Sequence, residues 1–253
     1  MKKKVKNLPG ILVLLLAAAA ALGPVLYLLL GCFANLWGFW LTFLRTPEYL
    51  YKFWNSLGIC ALITLGQLAV SCMGGLALAK YPLPCRRFLT GFLVTVLLLP
   101  LQVTLMPCYL VLDRMGLLDT LWALILPAVF SPFGTIIMWM TFRGVPDELP
   151  DAARMDGAGT FDLLWKIMAP AGRSGAVSVL LLTFVDAWNM VEQPMVFLRD
   201  ASKYPLSVFL ASLDREGFSL SFHSGLLSML PAVLLLLYYR EELAEGGGIM
   251  LEK

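Results

Sequence analysis

The chain has 253 residues, 59% of them hydrophobic and 14% charged, with a net charge of +2. A soluble domain is nearer half apolar and a quarter charged, so this composition excludes an ordinary soluble globule, and so small a net charge does not point to nucleic acid. Five cysteines (Cys32, Cys60, Cys72, Cys85, Cys108) lack any C-x-x-C spacing and read as small hydrophobes, and the single histidine, His223, excludes a multi-histidine metal site.

Four lysines, Lys2, Lys3, Lys4 and Lys6, precede the first apolar run at 11–33, which continues too far to be the core of a cleaved secretory signal. Trp37, Phe39, Trp40 and Phe43 follow it and suit a membrane interface. The next runs are 53–80, 88–112 and 121–142, the last two interrupted by Pro100, Pro107, Pro127 and Pro132, where kinks are expected. A charged segment occupies 143–173, and two more runs lie at 174–198 and 222–239. Each run approaches the roughly 20 residues needed to cross a ~30 Å hydrocarbon core, and lipid requires backbone polar groups to be satisfied internally. The sequence therefore predicts an all-α polytopic membrane protein: one transmembrane domain, 1–253, of six helices.

Basic residues set the orientation. The N-terminal lysines, the Lys80–Arg87 loop, the 143–173 segment with Arg143, Arg154, Lys166 and Arg173, and the tail from Arg240 all fall on one side, the cytoplasm, with both termini there. The third outer loop, with Arg199, Asp200, Lys203, Asp214, Arg215 and Glu216, mixes bases and acids and departs from the rule.

The chain contains neither a G-x-x-x-x-G-K-[ST] phosphate loop nor an H-E-x-x-H pair, and no loop is long enough for a catalytic domain. It is not expected to be an enzyme on its own, and no cofactor is expected. What remains is the segment from Pro146 to Pro170. Asp147 can cap a short helix whose first turn tolerates Pro150. Ala152, Ala153 and Met155 offer a small, smooth surface, Gly157 and Gly159 break the helix, and Phe161–Met168 forms a second amphipathic stretch. Two readings fit: a surface gripped by a soluble partner, or an interfacial hairpin that stabilises the bundle.

The run Asp151-Ala-Ala-x-x-x-Gly157, followed by Ile167-x-x-Pro170, resembles the EAA loop of permease subunits of bacterial ABC importers. The wider pattern, including Pro100-Leu-Gln-Val-Thr104, Gly116-Leu-Leu-Asp-Thr120, Trp122-Ala-Leu-Ile-Leu-Pro127 and Trp188-Asn189, is similar to the carbohydrate-importer class and its shorter maltose-type permease, from about residue 50 onward. The resemblance implies the MetI-like type I importer fold in the bacterial inner (plasma) membrane. It also implies a second, different permease, two cytoplasmic ATPase subunits and an extracytoplasmic solute-binding protein as partners. Asp151, Ala152, Ala153 and Gly157, flanked by Arg154 and Asp156, would then dock on the ATPase. Two positions depart from the family pattern: Asp151 replaces the usual Glu, and Ala169 the usual Leu before Pro170. Gly246–Gly248 resembles a remnant of the family's tail, within an acidic C-terminus.

The fifth run carries Asp186, Asn189, Glu192 and Gln193, which a continuous helix would place on one broad face. Ionisable groups at membrane depth usually face a bundle interior or water. With Gln102 and Thr104 on the third run, they are candidates to line a translocation path for a hydroxyl-rich solute, or else to hydrogen-bond between helices. The expected function is half of the path of a carbohydrate importer. The alternatives are an ABC permease for a non-sugar solute and a stand-alone proton-coupled transporter using Asp186 and Glu192.

Overall fold

A computed structural model describes residues 18, 23, 47–213 and 218–241. Nearly all of the first apolar run, the aromatics at 37–43, the charges at 214–216 and the glycine-rich tail lie outside the described residues. Within them every element is helical: α1 (Pro47–Lys80), α2 (Arg86–Leu97), α3 (Leu101–Arg114), α4 (Trp122–Val129), α5 (Pro132–Gly144), α6 (Glu148–Met155), α7 (Thr160–Ala171), α8 (Arg173–Trp188), α9 (Glu192–Phe197), α10 (Leu206–Leu213) and α11 (Phe218–Tyr238). α1 and the α4–α5 pair, Trp122–Gly144, are long and apolar enough to cross a bilayer.

Two expected spans are not continuous. The 88–112 run is α2 and α3, bent by 103°. Pro100 supplies the reason: it has no N–H to continue the ladder, and it sits in extended backbone (φ −63°, ψ 145°) at the head of α3. The 174–198 run stops at Trp188 and resumes at Glu192. By contrast, Pro107 and Pro127 are accommodated inside α3 and α4.

α1 is the axis of the molecule, with α5, α8 and α4 packed along it. Close approach comes from small residues. A Cβ on Gly75 would lie 2.6 Å from Met138 Cβ and 2.8 Å from the main chain of Met138 and Trp139. Gly74 faces Thr135, Ser71 faces Gly134, and Gly175 of α8 abuts Thr141 of α5. In lipid, van der Waals contact of this kind replaces the hydrophobic effect as the glue between helices. One apolar cluster forms near the Pro47 end from Ile59, Cys60 and Ile63 with Leu124, Phe184 and Trp188. A second forms near the Lys80 end from Cys72 and Leu76 with Met138, Phe142, Ala153, Leu163, Leu164 and Met168. The described cysteines are free thiols, Cys60 and Cys72 buried in these clusters.

The Pro47 end is closed by a polar clamp. Asp119, held at φ 58°, accepts the main-chain N–H groups of Arg199 and Asp200 at 3.0 Å each, and Lys203 Nζ at 2.9 Å. Lys52 donates to the carbonyls of Ala201 and Ser202, Asn55 to that of Lys203, and Ser56 accepts from the N–H of Leu206. The N–H of Asp200, with Lys203 and the N–H of Arg199, pulls the Asp119 carboxyl down to about 2. Of this loop's mixed charges, Asp200 and Lys203 are thus spent on internal bonds.

Candidate functional site

α6 begins after Gly144-Val145-Pro146, where Pro146 bars α5 from continuing. Asp147 does not cap it with its side chain as expected. Its carboxylate takes Lys80 Nζ at 2.5 Å instead, and that hydrogen bond and charge hold it below the usual carboxylate range. Pro150 occupies the first turn and is buried. The helix ends in a Schellman motif: Ala158 N–H reaches the Ala153 carbonyl at 2.9 Å and Gly157 N–H that of Arg154 at 3.1 Å. That geometry needs a left-handed residue, and Gly157 supplies it at φ 83°. Gly157 is therefore the residue that ends α6, and a Cβ placed there would meet no described atom within 4 Å.

The six candidate residues divide between two faces. Asp151, Ala152 and Asp156 are exposed, together with Leu149, Met155 (84% exposed) and, from α7, Phe161 and Trp165. Ala153 is buried against Leu163, Leu164 and Met168, beneath that surface. Arg154 turns back toward α1: it bonds Asp151 at 2.9 Å and the Lys80 carbonyl at 3.4 Å, and its guanidinium lies 5.3 Å from the Tyr81 ring centre. Tyr81 Oη meets Thr160 Oγ1 at 3.0 Å. The contacts of Lys80, Tyr81 and Thr160 have no signal in the sequence, because the partners lie 65 to 79 positions apart.

α7 is amphipathic as expected, with Leu163, Leu164 and Met168 turned inward and Lys166 paired to Asp162 at 2.7 Å. Its middle, Leu163–Met168, winds with wider π spacing, and the chain then bends 85° into α8.

The polar set of the fifth run does not share one helix face, because the helix breaks at Asn189–Val191. Asp186 stays on α8, exposed, and pairs with no described residue. Asn189 caps α8, donating from Nδ2 to the Val185 carbonyl at 2.8 Å. Glu192, on α9, is reached by Gln102 Nε2 of α3 at 3.2 and 3.3 Å, so two candidates distant in sequence do come together. Gln193 is half-buried, and Thr104 bonds its own helix at Leu101. The break opens a cavity of about 230 Å³, lined by Trp188, Asn189, Val191, Ser207, Leu210 and Ser228 among others. Trp188 Nε1 donates to the Ser228 carbonyl at 2.7 Å and fixes one wall.

Comparison with known proteins places this geometry in a family. An arabinooligosaccharide transport permease, AraQ, of Halalkalibacterium halodurans is 28% identical over 215 residues, covering 82% of this chain and 77% of the relative. An sn-glycerol-3-phosphate transport permease, UgpE, of Yersinia pestis is 32% identical over 148 residues, 58% of this chain and 53% of the relative. The crystal structure of a bacterial ABC transporter involved in import of the acidic polysaccharide alginate matches with a TM-score of 0.79 at 20% identity, over 95% of this chain and 98% of its own, which shows a shared fold. The profile of the family described as "Binding-protein-dependent transport system inner membrane component" matches residues 71–198, a stretch that contains α6, the Schellman glycine and the Gln102–Glu192 pair, and the chain belongs to that family.

Proposed function

We propose that this chain is one of two different permease subunits of an ATP-driven importer for a carbohydrate or related polyhydroxy solute. It forms half of the translocation path with six spanning helices, both termini lie in the cytoplasm, and α6 docks on one of two cytoplasmic ATPase subunits. An extracytoplasmic solute-binding protein delivers the cargo. The observation that carries the reading is α6 itself: a short, charged helix with Asp151, Ala152 and Asp156 exposed beside Leu149 and Met155, seated on buried Ala153 and stopped by Gly157 at the Lys80 end of the bundle. An exposed patch of that kind on an otherwise lipid-embedded chain suits a soluble partner.

Cargo class rests on the named solutes of the relatives, and the acceptors Asp186, Asn189, Glu192 and Gln193 suit hydroxyl groups. The test is purification of the tagged chain from its host membrane, then reconstitution with its partners in proteoliposomes. ATP-dependent uptake of an arabinose oligosaccharide, in preference to glycerol 3-phosphate, is the expected result. Preference for the phosphate ester would replace the cargo. Uptake driven by a proton gradient without ATP, or a chain that co-purifies with no ATPase, would overturn the reading.

A further inference from the structure

α6 is joined to the chain on either side by a short non-helical link. Val145-Pro146-Asp147 lies before it, and Gly157-Ala158-Gly159 after it, two of those three residues being glycines. An eight-residue helix is marginal alone, and a force applied to it would be dissipated at the glycine link. The apolar cluster below Ala153 resists compression, but hydrophobic contact is non-directional and lets one surface slide on another. Directional bonds are needed to fix the angle of α6 against the bundle.

Those bonds converge on two consecutive residues at the end of α1. Lys80 Nζ reaches the Val145 carbonyl and the Asp147 carboxylate, both at 2.5 Å, just before α6. The Lys80 carbonyl accepts from Arg154 in the last turn of α6, and the Tyr81 ring stacks under the same guanidinium. Tyr81 Oη holds Thr160, the first residue of α7. The side chain of Lys80 is only 4% exposed although Asp147 is 80% exposed, so the lysine is built into the joint. α6 is thus held before, within and after its length by one dipeptide, and that dipeptide terminates the helix on which α4, α5 and α8 all pack.

We propose that Lys80 and Tyr81 are positioning residues that lock α6 to α1, so that a displacement of α6 moves α1 and the helices packed on it as one body. This rests on the reading of α6 as the ATPase dock.

The test places spin labels at Met73 of α1 and Met155 of α6, both exposed, in the complete importer with the native cysteines replaced. Distances are read without nucleotide and after trapping with ATP and vanadate, which needs no cargo. The parent protein should give one narrow distance, unchanged between the two states. Lys80→Met and Tyr81→Ala should broaden it at least twofold and make it shift on trapping, and Lys80→Arg should restore the narrow distance. Tyr81→Phe removes only the hydroxyl bond to Thr160, and serves if the harsher variants fail to assemble; a partial broadening is expected. Parent-like distributions in all variants, or broadening that Lys80→Arg does not reverse, would overturn the proposal. The dock is checked separately by the mobility of the Met155 label with and without the ATPase subunits: no change would remove the docking reading, and the proposal with it.

Discussion

Gly75 gives the sharpest test of how the bundle is held. Adding one methyl there puts a carbon 2.6 Å from Met138 Cβ and 2.8 Å from main-chain atoms of Met138 and Trp139. Carbon atoms pack at roughly 3.5–4.0 Å, so the shortfall is about 1 Å, and a main chain cannot rotate away as a side-chain tip can. α1 and α5 must part, loosening the Gly74–Thr135 and Ser71–Gly134 contacts as well. Overpacking of this kind costs about 1–3 kcal/mol. Ala is also the better helix former by ~1 kcal/mol, a gain shared by any Gly→Ala change in the same helix. Gly58, with no described atom within 4 Å, is the matched control, and the difference between Gly75→Ala and Gly58→Ala isolates the packing term. At roughly 2–4 °C per kcal/mol for a chain of this size, the two variants should melt about 2–12 °C apart. Gly66→Ala, whose three nearest contacts are side-chain atoms of Val129 and not main chain, should fall between them. The assay is fluorescence-detected gel filtration of the assembled importer after graded heating. Equal midpoints for Gly75→Ala and Gly58→Ala would refute the close-packed seam.

Gly157→Val should lower ATP-driven uptake about 5–30-fold, the effect of 1–2 kcal/mol of local backbone strain, while Gly157→Asn, which tolerates the left-handed region, retains most of it. Equal losses would mean that bulk, not backbone, decides. Asp119 has a carboxyl lowered to about 2 in the fold against ~3.9 in an unfolded chain. Its contribution is therefore full above about pH 4 and is lost as pH falls toward 2. The melting difference between the parent and Asp119→Asn should shrink over that window, and a constant difference would contradict the clamp. Glu192→Gln keeps an acceptor for Gln102 and should melt like the parent, whereas Glu192→Ala loses a bond worth about 0.5–1.5 kcal/mol and should melt lower. Reduced uptake in Glu192→Gln would show that the charge itself meets the cargo.

Long-period features were legible in the sequence. Apolar runs located α1, α4, α5 and α11, and the Gly157 spacing marked the end of α6 because a left-handed stop has a local chemical signature. Pro100 announced a kink, but its 103° size depends on what α2 and α3 pack against, which no local rule supplies. The break at Asn189–Val191 contains no proline or glycine. There α8 gives way to a wall built by Trp188, Ser207 and Ser228, so the helical spacing of Asp186 and Glu192 misled. Asp147 looked like a helix cap on local grounds, and an amine from 67 positions away outcompeted the cap. Contacts of that separation are set by topology, and a single chain of letters carries no record of them.

The clamp at the Pro47 end has a consequence for which substitutions this region can absorb. Arg199, Asp200, Ala201, Ser202 and Lys203 are gripped through their main chain: two N–H groups by Asp119, and three carbonyls by Lys52 and Asn55. The letters at 199, 201 and 202 can therefore drift without disturbing the grip, except to proline at 199 or 202, which deletes an N–H bonded to Asp119 or to Asp200. The fixed points are Asp119, Lys52 and Asn55 elsewhere in the chain, and within the strap the side chains of Asp200 and Lys203. A strap held by its backbone leaves its outward side chains free to be refitted to a new partner while its shape stays the same.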